Sequence, residues 1–231
     1  MSAPIKAEHD ANFLFNLLTH GLVVSKPYFI PGENLLFQEE IKKSRFMTYL
    51  SHARGKEQAL EYLKKIKELH PEARHHCWAY LGDAPDNSVC AGCSDDGEPK
   101  GTAGKPILAV LQGSGLGEVI AVVVRYSGGI KLGTGGLVRA YSNGVQQLVR
   151  RMPTIEKRFY QQYQLHCDYA QMALIESLLT TLAGRLVEVE YLQSVKAIIE
   201  VDLQLCGQFS EKLESLTQGK VVVKKIPVTA S

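Results

Sequence analysis

The sequence contains no apolar run long enough to cross a bilayer, which takes roughly 20 residues of helix. Its nearest candidate, the cluster at residues 13–18, includes or adjoins Lys6, Glu8, Asp10, Asn16 and His20. That pattern fits neither a signal peptide nor a membrane span, so no membrane partner is expected. Residues 1–29 read either as a short amphipathic helix or as an extension without fixed structure. Cysteine is scarce too: Cys77, Cys90, Cys93, Cys167 and Cys206 are an odd number, and only two lie close together. This argues against a disulfide framework and for reduced thiols in a cytoplasmic setting. A charge excess is missing as well, since 26 Lys and Arg meet 24 Asp and Glu for a net +2. A nucleic-acid coat is thereby excluded, unless charge is segregated locally.

What is present is an ordinary globular composition, 45% hydrophobic and 22% charged over 231 residues, enough for two cores. Residues 36–50 are rich in strand formers and carry the basic run Lys42, Lys43 and Arg45, which predicts a half-exposed strand. Residues 55–69 place Ala59, Leu63 and Ile66 at helical spacing. Residues 74–81 read as a strand, followed by a long loop. Pro106 then predicts the start of a short helix through Val110. The unbroken apolar run at 119–124 predicts a strand buried on both faces. After a glycine loop at 127–136, Leu137, Ala140, Tyr141, Val145 and Leu148 predict a core-facing helix ended by Pro153.

A linker is expected at 152–157. It separates an α+β domain at 31–152, preceded by an extension at 1–30, from a second domain at 157–231. That second domain reads strand, helix, strand, strand, helix, strand, the ferredoxin-like βαββαβ order. Leu174, Leu178 and Leu182 stripe its first helix, and Phe209, Leu213 and Leu216 its second.

Charge is indeed segregated. Residues 75–99 hold Asp83, Asp86, Asp95, Asp96 and Glu98 without one Lys or Arg. Residues 119–155 hold Arg125, Lys131, Arg139, Arg150 and Arg151 without one carboxylate. Two strand-loop-helix units follow from this pattern. In the first, Asp95, Asp96 and Glu98 precede a glycine turn with Gly101, Thr102, Gly104 and Lys105. Its helix start could bind a phosphate or carboxylate; the carboxylates could cap that helix or hold magnesium beside a phosphate; or the turn is simply structural. It is not a Walker sequence, because Pro99 and Pro106 stand where glycine and Ser or Thr are required.

In the second unit, Gly128, Gly129, Gly133, Thr134 and Gly135 are flanked by Arg125, Lys131 and Arg139, which suits an anion or a nucleic-acid backbone as well as close packing. Cys90 and Cys93 form one C-x-x-C pair, a weak zinc signal. His75 and His76, adjacent in a strand, point to opposite faces. No catalytic set can be singled out.

Arg74-His75-His76-Cys77, the segment 94–106, Val124-Arg125-Tyr126 and the run 128–141 together resemble the signature of the IMPACT family, in its bacterial YigZ branch, over residues 39–231. Ser127 departs from the aromatic residue usual there, and the pattern does not call for cysteine at Cys90 or Cys93. The resemblance implies a first domain similar to the second domain of a small-subunit ribosomal protein and to the fourth domain of translocating elongation factors. It implies a ferredoxin-like second domain similar to the last domain of those factors.

RNA, the ribosome or a protein of the translation machinery is then the expected partner, and regulation of translation the expected role, without catalysis. The contact residues would be Arg45, Arg74, His75, Lys105, Arg125, Lys131 and Arg139 with Gly101, Thr102, Gly104, Gly128, Gly129, Gly133, Thr134 and Gly135. The role of eukaryotic members in blocking a kinase rests on an additional domain and is not carried over. A magnesium-dependent enzyme or sensor of a small phosphate ligand is the competing expectation, since a superfamily of small-molecule kinases shares the broad fold. No other cofactor is expected.

Overall fold

The computed structural model describes residues 26–227, so the reading of residues 1–29 falls, for 1–25, outside the described residues. The described chain folds into two compact units, one of residues 28–157 and one of residues 158–227 together with residues 26–27.

The first unit is built on a five-stranded antiparallel sheet. Its strands are β2 (Leu35–Ile41), β3 (Ser44–His52), β4 (His75–Leu81), β5 (Ala91–Ser94) and β6 (Val119–Tyr126), in the order β2-β3-β6-β4-β5. Helix α1 (Gly55–Leu69) covers one face, packing Ala59, Leu63 and Ile66 on Tyr80, Ile120, Val122 and Val124. Helices α2 (Gly104–Gln112) and α3 (Thr134–Val149) cover the other, over Phe46, Leu50, Cys77, Ala79, Ala121 and Val123. Strand β6 is apolar at every position from Val119 to Val124 because alternate side chains enter both cores. Each such buried aliphatic side chain contributes about 1.5–3 kcal/mol.

Four local readings need correction. Residues 36–50 are a hairpin: Lys42 (φ 49°) and Lys43 (φ 63°) form the two-residue turn between β2 and β3. Positive φ at both turn positions matches the right-handed strand twist and is normally met by Asn-Gly, so a Lys-Lys turn is hard to read from sequence. The acidic loop contains the short strand β5, paired with β4 through Trp78 and Ser94. Helix α2 begins at Gly104, two residues before Pro106, which still lies in the first turn where its missing N–H is harmless. The expected linker is strand β7 (Thr154–Lys157), which pairs with β1 (Tyr28–Pro31).

The second unit runs β8 (Tyr160–Cys167), α4 (Tyr169–Thr181), β9 (Arg185–Tyr191), β10 (Val195–Asp202), α5 (Cys206–Thr217) and β11 (Val222–Lys225). Its sheet order β11-β8-β10-β9 is that of a ferredoxin-like fold. A capping box between Asp168 and Gln171 starts α4. The core takes Met172, Ile175, Leu178 and Leu179 from α4 and Phe209 and Leu213 from α5. Leu174 and Leu216, expected in the apolar stripes, are instead exposed. No helix among the described residues is long and apolar enough to cross a membrane.

Candidate functional site

The two strand-loop-helix units behave differently. At α2, the amides that could hold an anion are taken by the chain itself. Asp95 accepts from Gly101 N (2.7 Å), Ala103 N (3.0 Å) and Gly104 N (2.8 Å). Burial alone would raise its carboxyl, but these amides and Lys105 outweigh it and hold the group below its ordinary range. The Thr102 hydroxyl donates to Pro99 O (2.7 Å), and Lys105 stays exposed.

The other two carboxylates turn elsewhere. Asp96 accepts from His76 N (2.8 Å) and faces Lys67 at 3.6 Å. Glu98, buried, accepts from Arg125 Nη1 (2.6 Å) and from the Tyr141 hydroxyl (2.8 Å). Three carboxylates aimed at three partners make a cap, a surface ion pair and a buried ion pair, not a shell converging on a hard cation. Among the described residues no group of three His, Cys, Asp or Glu side chains could hold a metal ion.

Cys90, in the turn before β5, packs on the α1-side core, while Cys93, on β5, packs on the α2/α3 side. Both thiols are free, and their side chains are directed into different cores. Cys77 donates to Asp95 O, and burial pushes its thiol up to about 12, so it is no nucleophile at neutral pH. His75 meets Asp96 O through Nδ1 (3.0 Å) and His76 meets His70 O through Nε2 (3.1 Å), as their opposite orientation requires.

The cations of the second unit split into two sets. Arg125 is only 8% exposed, locked between Glu98 and Ser44 beneath α3, and cannot reach a partner. A β6 residue two places beyond Val123 alternates inward, toward the face on which Glu98 and Tyr141 lie. The remaining cations gather at one end of the sheet. Register places Phe46 opposite Arg125 and Arg125 opposite His75, so β3 and β4 begin where β6 ends. Arg45 and Arg74 therefore flank the loop that follows β6.

Gly128 lies so close to the hairpin that a Cβ there would sit 2.0 Å from the Lys43 carbonyl oxygen, and its N–H donates to Ser44 Oγ at 3.2 Å. This welds the glycine loop to the Lys42-Lys43 tip. Gly133, the residue before helix α3, offers no capping side chain, and the first turn of α3 carries no acidic residue. A groove beside it is lined by Ile41, Lys42, Leu132, Gly135, Gly136 and Arg139. Lys42, Lys43, Arg45, Lys131 and Arg139 are all exposed, and Gly129, Gly133 and Gly135 face open space.

Two polar clusters were not legible from the sequence. On the α1 face, His70 bridges the Tyr49 hydroxyl (2.5 Å) and the Tyr126 hydroxyl (2.9 Å), and Arg45 stacks on Tyr126 at 4.5 Å from the ring centroid. Burial first, then His76 and Arg45, push His70 below the usual imidazole range. At the far end of the sheet, buried Glu118 accepts from Lys157, His52 (2.8 Å) and Tyr28 (3.1 Å). Burial alone would raise its carboxyl, but these donors hold it low. Only spatial convergence of distant residues creates either cluster, so no local spacing announces them.

The model of the Impact N-terminal domain matches residues 42–149, which hold both units, and a domain of unknown function, DUF1949, matches residues 165–220. An IMPACT family member of Haemophilus influenzae is 45% identical over 201 residues, covering 87% of this chain and 98% of that protein. The chain belongs to the IMPACT family. The family member YigZ of Escherichia coli is 46% identical, covering 84% of this chain and 95% of its own length. YvyE of Bacillus subtilis is 38% identical over 82% of this chain and 86% of its own. A solved structure titled as that of an hypothetical protein matches with a TM-score of 0.62 at 44% identity, covering 89% of this chain and all of that one. At 89% coverage, the match with that structure extends over both units of this chain.

Proposed function

We propose that this IMPACT protein is a translation-linked binding protein that holds RNA, on or off the ribosome, by its phosphate backbone at the basic end of the first unit. The observation that carries the reading is the contrast between two helix starts. The α2 amides are filled by Asp95, whereas the first turn of α3 carries no acid, Lys42 and Arg139 line the groove beside it, and Lys43 and Lys131 are exposed in the adjoining loops. Exposed cations beside backbone donors fit phosphate oxygens, and they read charge and shape rather than base identity. The magnesium-enzyme alternative finds no support in the geometry, since its three carboxylates diverge.

The test is RNA binding by the full chain, followed by fluorescence anisotropy across a salt series. Lys42→Glu with Lys131→Glu is expected to weaken binding at least about tenfold and to flatten the dependence of log affinity on log salt by about 1.5–2 units. Unchanged affinity and slope would overturn the proposal. Arg125→Glu is not a usable probe, because it would place two carboxylates together in the core.

A further inference from the structure

Resting on that reading, we infer that the RNA held at this surface is double-helical rather than single-stranded. The inference follows from what the aromatic rings near the cations are doing. Proteins that hold single strands add ring stacking on unpaired bases to a basic groove, and stacking supplies much of their affinity. Among the described residues, the rings at the basic end are already engaged within the protein. Tyr126 is covered by the Arg45 guanidinium and tied by its hydroxyl to His70, whose ring meets it edge-on. Tyr49 is held by the same histidine. Phe46 is buried against Tyr141, with Arg125 over it. Phe37 lies under Arg151.

Within the first unit's described residues, Phe29 is the large aromatic that is well exposed, at 49%, and it bridges to Leu116 beside the start of β6, the far end of the sheet. The side chains left around the cations are aliphatic, Ile130 and Val138. Phosphates are thus the groups this surface can grip. A duplex presents them in two fixed rows at high charge density, while a flexible strand must be ordered for the same contacts.

The exposed Tyr169 and Tyr191 belong to the second unit and are stacked on one another, with the Tyr169 hydroxyl fixed to Leu192 O. They sit in a segment, residues 158–227, with seven Lys and Arg against eight Asp and Glu, which does not attract phosphate.

The experiment compares the full chain on an RNA duplex of roughly 20 base pairs, on each of its separated strands, on a DNA duplex of the same sequence, and on oligo(A) and oligo(U). The expected result is RNA duplex binding tighter than either strand by about tenfold or more, with oligo(A) and oligo(U) indistinguishable, because stacking discriminates bases and phosphate contact does not. A single strand bound as tightly as the duplex would overturn the inference and leave the proposed function standing. Loss of oligo(A) binding on Tyr169→Ala with Tyr191→Ala would overturn it in the same way, and would locate the stacking site. Tighter binding to the DNA duplex would overturn the assignment to RNA. No binding to any probe would overturn both the inference and the function it rests on.

Discussion

Arg125 and Arg139 stand fourteen positions apart in one basic stretch, yet one is buried in an ion pair and the other is exposed. Spacing alone cannot separate them, because the difference lies in Glu98 and Tyr141, brought under β6 from elsewhere in the chain. Arg125→Met is expected to destabilise the first unit by about 3–5 kcal/mol in urea titration, since Glu98 is left buried without its cation. Adding Glu98→Gln to that variant should recover a measurable part of the loss, and no recovery would mean that the pair is not the cause. Asp95 shows the converse: an acidic residue readable as a ligand of a metal turns out to serve three amides of its own loop. Asp95→Ala should therefore cost about 2 kcal/mol, the upper range for a lost helix cap, whether or not magnesium is in the buffer. A magnesium-dependent difference between wild type and variant would contradict that assignment.

Among the elements, those with strong periodicity were legible and those set by close approach were not. The spacing of Ala59, Leu63 and Ile66 reproduces α1 to its ends, and the run 119–124 reproduces β6 as a doubly buried strand. The turn at Lys42-Lys43, strand β5 and strand β7 escaped, because each depends on a partner strand rather than on its own residues. Gly144 is the clearest instance of contact deciding a residue. It looks like a flaw in α3, but a Cβ there would sit 2.1 Å from Thr48 Oγ1. Glycine lets the helix settle on β3 and carries Tyr141 within reach of Glu98. Gly144→Ala should thus lower stability by about 1–3 kcal/mol despite alanine's better helix propensity, as thermal unfolding would show. A stabilised variant would refute the packing argument.

At the scale of the whole molecule, two cores imply two separable stabilities. Phe209→Ala empties the second core by a large ring, and about 3–5 kcal/mol should be lost there. Hydrogen exchange is expected to rise across residues 158–227 while protection persists in β6. The first unit also carries buried groups that make it acid-sensitive. His70 and His76 are both held below their usual value of 6.5, chiefly by burial, so the unfolded chain binds protons that the folded one refuses. Stability from these groups is full above about pH 6.5 and falls as the pH drops through that value. Asp95 and Glu118, held low, add a further loss as the pH falls through the carboxylate range. A midpoint for urea unfolding that stays flat from neutral pH to pH 5 would contradict this.

The hairpin tip has one more consequence. Two lysines occupy backbone positions that glycine or asparagine would hold with less strain, and that strain amounts to about 1 kcal/mol at each. Replacing Lys42 and Lys43 by Asn and Gly should yield a hardier protein and, under the proposed function, one that binds RNA phosphate more weakly. A breeder choosing only for heat tolerance would erase the charged prow of the molecule before touching its hull.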